Sequence, residues 1–378
     1  MGALTLGRGA APVGLDISSS TFRLAQLKPT DDKPLLVNYA RMKTADGLID
    51  EGEIVDIEGV SKALAAFWRE YKIPEKRVVI GVANQKVVVR VIEMPYMSES
   101  ELRSALQYQI SDYIPIPVEE AIIDFQILTD NEANKQSGKM DVLVAAARKD
   151  MIENAIAAVK GAGLKPVIVD ISSLAFARAV LEAEPERVLR EPDEDKGATA
   201  LVNISSTLTD IIIVEDGVPR FTRISGTGGR VFTDAIVEQL GVSVDEAEEL
   251  KMAVGLPQVG DKMLQPVSDD PKIRQYYSKV QGILELEMER FVAEIRRSLD
   301  YYIAQSTNVR RIEKVIVSGG GVRLNNFIEQ LKASLMMEVE LAQPLKSVQI
   351  KRRTRIANVK EDELSMAICI GLGMRGMQ

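Results

Sequence analysis

The sequence carries one short pattern twice, half a chain apart. Val13-Gly-Leu-Asp-Ile-Ser-Ser-Ser-Thr-Phe-Arg-Leu-Ala aligns with Ala200-Leu-Val-Asn-Ile-Ser-Ser-Thr-Leu-Thr-Asp-Ile-Ile, with Asp16 on Asn203. Each copy reads as a buried strand, a tight polar turn and a second strand. The turns, Ser18 to Thr21 and Ser205 to Thr207, offer backbone N–H groups and hydroxyls, and converging N–H donors hold anions well. Two unrelated hairpins with serine-rich turns would be the bland alternative. A third element argues against it. Val315-Ile-Val-Ser-Gly-Gly-Gly-Val-Arg-Leu reads as strand, glycine turn and helix start, the kind of bend that lets a flat ring lie on bare backbone. The three in this order predict a duplicated two-lobed α/β chain whose hairpins face a chain of phosphates across a cleft.

Composition excludes several chemistries. The 378 residues are 46% hydrophobic and 27% charged and include no histidine, so Ser-His-Asp and Cys-His catalysis and His-ligated metals are absent. Cys369 is the single cysteine. It leaves no disulfide, thiolate zinc site or iron–sulfur cluster and, in the apolar run Met366-Ala-Ile-Cys-Ile-Gly-Leu, reads as a buried small hydrophobe. A net charge of −8 argues against a general nucleic-acid binder. No apolar run approaches the ~20 residues of a membrane span. The first residues lack a signal-peptide core, and Leu6 stands where a myristoylation pattern needs serine or threonine. Cytoplasm is the expected compartment.

Periodicity organises the rest. Strands are expected over 13–28 and Leu35 to Met42, and an amphipathic helix over Ile57 to Tyr71. From Arg77 to Ala147 the order reads strand, strand, helix, strand, strand, with Ser98 and Glu101 as a capping box and Tyr113-Ile-Pro-Ile-Pro as a helix breaker. That stretch is expected to be a compact insert with a sheet of its own. Helix 149–162, strand 166–170 and helix 172–182 follow, then a charged connection. The second half adds helices 229–240 and 244–253, a Gly/Pro/Asp loop at 255–273, and a long helix over about 276–306. In that helix Leu284, Met288, Phe291, Ile295, Leu299 and Tyr302 form a core stripe. Helices 324–336 and 361–375 close the chain. The basic run Lys351-Arg-Arg-Thr-Arg reads as a solvated face, with an acidic lipid surface as the alternative.

A chain of this design resembles the actin-like (ribonuclease H-like) ATPase superfamily, which includes actin, the heat-shock chaperones, sugar kinases and FtsA. The wording of the insert is closer still. Ile92-Glu-Met-Pro-Tyr-Met-Ser-Glu-Ser-Glu-Leu and Tyr113-Ile-Pro-Ile-Pro-Val-Glu-Glu-Ala are similar to the PilM family of type IV pilus assembly proteins. So are Val142-Leu-Val-Ala-Ala-Ala-Arg-Lys, Ala162-Gly-Leu-Lys-Pro and Val317-Ser-Gly-Gly-Gly-Val. The resemblance implies an FtsA-like fold with a flexible start at 1–12 and a first lobe (1A) at 13–76 and 148–183. The inserted, partner-binding subdomain (1C) spans 77–147, and 184–197 is the inter-lobe connection. The second lobe (2A) takes 198–228 and 312–378, and subdomain 2B takes 229–311. It further implies a cytoplasmic ATP- or ADP-binding protein, with Mg²⁺, peripheral at the inner membrane. The N-terminal peptide of PilN would sit at the 1A/1C groove, with the pilus motor ATPase as a further partner and room for an oligomer.

Residue by residue, the resemblance sets the first phosphate motif on Asp16, Ser18, Ser19, Ser20 and Thr21, with Asp16 near Mg²⁺ through water. It sets the second on Asn203, Ser205, Ser206 and Thr207, followed by Gly228 and Gly229. Gly319, Gly320 and Gly321 match the adenosine turn, Lys251 a lysine near the nucleotide, and Glu294, Arg297 and Ser298 the adenosine contacts. For that last trio an ordinary charged helix face is the alternative. Two departures stand out. Asn203 replaces an acidic residue, and Ser18 and Ser205 replace glycines. Losing the carboxylate weakens the hold on Mg²⁺, and a Cβ limits close backbone approach. Weak or absent ATP hydrolysis is therefore expected.

Two other classes compete with an adaptor. A small-molecule kinase needs an aspartate base, for which Asp124 and Asp170 are the loose candidates, although Asp170 looks more like a helix cap. A division filament of the FtsA type is expected to continue into a linker and membrane helix, whereas this sequence stops at Met377-Gln.

Overall fold

The computed structural model describes residues 11–128, 138–183, 197–260, 269–306, 309, 311–350 and 359–378. The first ten residues, residues 129–137, 184–196, 261–268, 307, 308 and 310, and the basic run from Lys351 lie outside them. The chain forms two compact units. Unit 1 comprises Met1–Val88, Glu93–Pro185 and Gln343–Gln378, and unit 2 comprises Val89–Ile92 and Glu186–Ala342.

Unit 1 is built on a sheet whose centre is Val13–Ile17. This strand pairs antiparallel with Thr21–Lys28, placing Asp16 opposite Arg23, and Thr21–Lys28 pairs with Leu35–Lys43. On its other side Val13–Ile17 runs parallel to Arg77–Val82, which runs parallel to Lys165–Ile171. Val13 through Asp16 are buried without alternation, as expected for a strand covered on both faces. Helix Ile57–Tyr71 forms where the apolar period predicts it. Asp56 caps it by accepting from the Gly59 amide, and Val60, Leu64, Phe67 and Trp68 turn inward.

Three expectations are corrected here. Arg77–Val82 is not a strand of a separate insert sheet, because its parallel pairing with Val13–Ile17 makes it the continuation of the main sheet. The hairpin Ala121–Ile127 with Lys139–Arg148 and the helix Glu99–Gln109, with its capping box formed, do lie where the insert was read. Residues 343–378, expected with the second lobe, group with unit 1. Helix Ala367–Arg375 packs on Val13–Ile17, Thr21–Lys28 and Ser172–Ala183. The approach is so close that a Cβ on Gly14 would overlap the Cys369 carbonyl oxygen, and one on Gly371 that of Ala175. Finally, the single helix expected at 361–375 is interrupted. A turn at Val359–Asp362 and a 3-10 turn at Glu363–Ser365 precede it, because buried Asp362 is drawn to Arg41 at 2.7 Å and to the Tyr39 hydroxyl at 3.1 Å.

In unit 2 the strand order is Glu338–Leu341, Arg311–Ser318, Gly197–Ile204, Thr209–Glu215, Val218–Ser225. Gly197–Ile204 and Thr209–Glu215 are the second hairpin, with Asn203 opposite Asp210. The long helix runs Pro271–Gln305, starting earlier than the apolar stripe suggests. Asp270 accepts from the Lys272 amide and Pro271 occupies the first turn, where its missing N–H costs nothing. Leu284, Met288, Phe291, Ile295 and Leu299 are buried. Phe291 meets Phe327 and Phe232 at centroid distances of 5.8 and 6.0 Å, and burying each such ring contributes about 2–3 kcal/mol.

Candidate functional site

The turn of the first hairpin is closed by its own serine. Ser18 Oγ donates to the Thr21 carbonyl at 2.8 Å. Thr44 braces it from the neighbouring loop, its hydroxyl donating to the Ser18 carbonyl and its amide to that of Ser20, both at 2.9 Å. Below the turn sits Asp16, 7% exposed. Arg23 Nη1 stands 3.8 Å from Asp16 Oδ2. Burial pushes the Asp16 carboxyl up to about 6, against the opposing pull of Arg23. The Arg23 Nε is itself buried and makes no hydrogen bond among the described residues.

The second hairpin repeats the turn. Ser205 Oγ donates to the Leu208 carbonyl, again at 2.8 Å, and accepts from the Leu208 amide at 3.1 Å. The polar pair beneath is different: Asn203 Nδ2 donates to Asp210 Oδ2 at 3.0 Å, both residues buried. Bare backbone gathers around this turn. The Gly229 and Arg230 amides donate to the Ser205 and Ser206 carbonyls at 2.9 and 2.8 Å. A Cβ on Gly228 would lie 2.5 Å from the Ser206 carbonyl oxygen, and one on Gly229 would lie 3.1 Å from the Gly321 Cα. Gly319, at φ +96°, presses on the Ile204 carbonyl, a conformation that glycine alone adopts cheaply. Unit 2 thus brings Asn203, Ser205, Ser206, Gly228, Gly229, Gly319 and Gly321 together.

The other sequence-predicted residues are more dispersed in role. Lys251 is buried, its ammonium donating to Glu248 at 2.7 Å and Thr233 at 3.0 Å. Glu294 is held by Arg223 at 2.8 Å and Arg297 at 3.4 Å, and with Thr209, Ser225 and Thr227 it lines a narrow crevice. Ser298, one turn further along the same helix, is fully buried, and its hydroxyl donates to the Glu294 carbonyl. Asp170 is bound by Arg178 at 2.9 Å and accepts from the Ile171 amide, the behaviour of a cap, and Asp124 is exposed on the strand Ala121–Ile127.

Two residues escaped the sequence reading, Arg23 and Asp210. Both stand one strand across from the position that was read, and only the cross-strand register makes them visible. Among the described residues no group of three or more acidic or cysteine side chains could hold a metal ion. The single carboxylate at the first turn already faces a guanidinium. Mg²⁺ in a nucleotide site is typically held by one or two carboxylates with waters and the phosphates, and Asp16 is the carboxylate the first turn offers. No helix among the described residues is long and apolar enough to cross a membrane.

Known proteins share this build. The solved PilM–PilN type IV pilus biogenesis complex contains a chain that superposes with a TM-score of 0.81 at 25% identity, covering 98% of this chain and 99% of that one. Ethanolamine utilization protein EutJ from Carboxydothermus hydrogenoformans shares the fold at a TM-score of 0.52 and 16% identity, covering 98% of this chain and 90% of its own. Cell division protein FtsA of Bacillus subtilis (strain 168) is 24% identical in an alignment of 267 positions that covers 64% of this chain. The match spans only 58% of that relative's length. The fold is the actin-like one that the repeat implied. The model of the family described as type IV pilus assembly protein PilM matches residues 14–377, and the chain belongs to that family.

Proposed function

We propose that the protein is a nucleotide-binding adaptor of type IV pilus assembly. In this reading it holds the N-terminal cytoplasmic peptide of the inner-membrane protein PilN and couples it to the pilus motor at the cytoplasmic face of the inner membrane. The observation that carries the reading is the near full-length likeness to the chain of a PilM–PilN complex. The paired serine turns support the nucleotide, ATP or ADP: phosphates at Ser18–Thr21 and Ser205–Thr207, the base toward Gly319–Gly321. Hydrolysis is weak or absent, because position 203 is an amide and its carboxylate partner, Asp210, lies across the strand pair. A kinase is less well supported, since Asp170 is consumed by Arg178.

The peptide site belongs on the insert's accessible parts. Leu102, Leu106 and Ile110 are 0–3% exposed and close the insert's own core. Tyr108, 85% exposed, and the outer residues of Ala121–Ile127 remain for a ligand, and an extended peptide there gains backbone hydrogen bonds plus a few apolar anchors. Calorimetric titration of the full chain with a PilN N-terminal peptide tests this. Tyr108→Ala combined with Asp124→Lys is expected to weaken binding about tenfold, a typical loss for one buried anchor and its rim. Unchanged affinity moves the peptide elsewhere, and no binding to the unaltered chain sinks the adaptor reading.

A further inference from the structure

We propose that the outer edge of strand Glu338–Leu341, in unit 2, is an interaction surface that takes an extended peptide as an added strand, one in which lysine or arginine alternates with apolar residues. Its residues belong neither to the phosphate turns nor to the insert.

The edge is open where its counterpart is guarded. Glu338–Leu341 ends its sheet, and no described strand lies beyond it. It pairs parallel with Arg311–Ser318 in unbroken register, from Lys314 on Glu338 to Val317 on Leu341. The Ala342 amide donates inward to the Val317 carbonyl at 2.8 Å. Backbone groups alternate in direction along a strand, so Val339 and Leu341 turn their amides and carbonyls to the free edge. Such a row is a template for another chain. In unit 1 the strand at the equivalent place, beside the parallel neighbour of the hairpin, is Lys165–Ile171. It is blunted: its pairing slips between Pro166 and Ile168, Pro166 has no amide to offer, and Lys165 stands exposed at its start.

The side chains say what the open edge would hold. Met336, at φ +56° just before the strand, is 83% exposed, and Leu341 is 41% exposed, so both are available as apolar anchors. Glu338 and Glu340 share the opposite face of the strand from Val339 and Leu341. Lys314, buried and in register with Glu338, offsets one of the two charges. A second copy of the chain is a poor occupant. With outward groups on 339 and 341, a two-fold antiparallel pairing would centre on 340 and set Glu340 against Glu340, and like charges directly opposite destabilise. A lysine or arginine in that place meets an opposite charge instead, while the apolar residues beside it meet Leu341. The arrangement disfavours self-pairing and favours a basic strand.

The test uses the full chain at about 0.15 M salt, where long-range attraction is screened. Two blocked nonapeptides serve as probes, one of alternating valine and lysine and one of alternating valine and glutamate, followed by calorimetric titration and by amide hydrogen exchange. The lysine peptide is expected to bind one to one and to slow exchange across Glu338–Leu341, and the glutamate peptide to bind about tenfold or more weakly. Leu341→Pro removes one outward amide and leaves the inward ladder intact, as proline does at a solvent-facing edge position, and is expected to weaken the lysine peptide about five- to tenfold. Should that variant not fold, Glu338→Lys, at an exposed position, is expected to move the preference toward the glutamate peptide by about tenfold. Equal affinity for the two peptides, unchanged affinity in the folded variants, or protection confined to Ala121–Ile127 overturns the proposal. So does a dimer of the unaltered chain that Leu341→Pro dissociates, because the occupant is then a second copy.

Discussion

In the first hairpin Asp16 faces Arg23, and in the second the same two positions hold Asn203 and Asp210. Above both pairs an identical device closes the turn, a serine hydroxyl donating to the carbonyl three residues on at 2.8 Å. Turn geometry has been kept while the charge under it has diverged. That is what backbone hydrogen bonding allows: the Ser-to-carbonyl closure depends on local dihedral angles, whereas the polar pair answers to whatever each hairpin must hold. The packing differs as well. The first hairpin keeps its close-approach glycine within its own strand, Gly14 against helix Ala367–Arg375, while the second has Leu201 there and is met by glycines from other loops, Gly228 and Gly319.

The sharpest way to break this comparison is through the glycines. Gly319→Ala places a methyl into the Ile204 carbonyl at φ +96° and is expected to cost unit 2 about 3 kcal/mol or more. Gly14→Ala is expected to harm unit 1 similarly. Trp68, the single tryptophan, lies in unit 1. Its fluorescence melt should therefore move with Gly14→Ala and hold for Gly319→Ala, while the circular dichroism melt moves for both. Coincident shifts in both probes for both variants would show one cooperative body and erase the contrast.

The polar pairs differ in pH response. With the Asp16 carboxyl at about 6 in the fold against 3.8 for the free side chain, the folded form binds its proton more tightly than the unfolded chain does. Stability is therefore unaffected by this group below about pH 4 and falls as pH rises toward 6, above which the loss is constant. Asp16→Asn is expected to stabilise the ligand-free protein at pH 7–8 by up to about 3 kcal/mol, less what Arg23 loses as a partner. The gain should vanish by about pH 4 in denaturant titrations. A gain that grows on acidification contradicts the burial argument. The smallest effect tests the likeness: Ser18→Ala and Ser205→Ala are each expected to cost about 1 kcal/mol and to add in the double variant. Costs that differ severalfold would mean that the two turns only look alike.

Local signals carried the sequence reading a long way. Helix Ile57–Tyr71 and the Ser98–Glu101 capping box announce themselves within one or two turns of chain. The serine turns and the Gly319–Gly321 bend are equally compact. What stayed hidden depends on register and return. Nothing near Arg77–Val82 says that its partner is Val13–Ile17 rather than the strand that follows it. The small, apolar run around Cys369 signals burial but not the surface that buries it. Arg23 and Asp210 needed the cross-strand pairing before they could be set beside Asp16 and Asn203.

The closing of unit 1 by helix Ala367–Arg375 also sets a timetable for synthesis. Strand Val13–Ile17 waits for a cover made some 350 residues later, while the stretch from Glu186 to Ala342 can complete most of unit 2 in between. At ~5–20 residues per second on the ribosome, the apolar face over Gly14 stays uncovered for tens of seconds. A nascent chain of this protein therefore offers chaperones a binding surface at Val13–Ile17, and that surface disappears only when helix Ala367–Arg375 arrives.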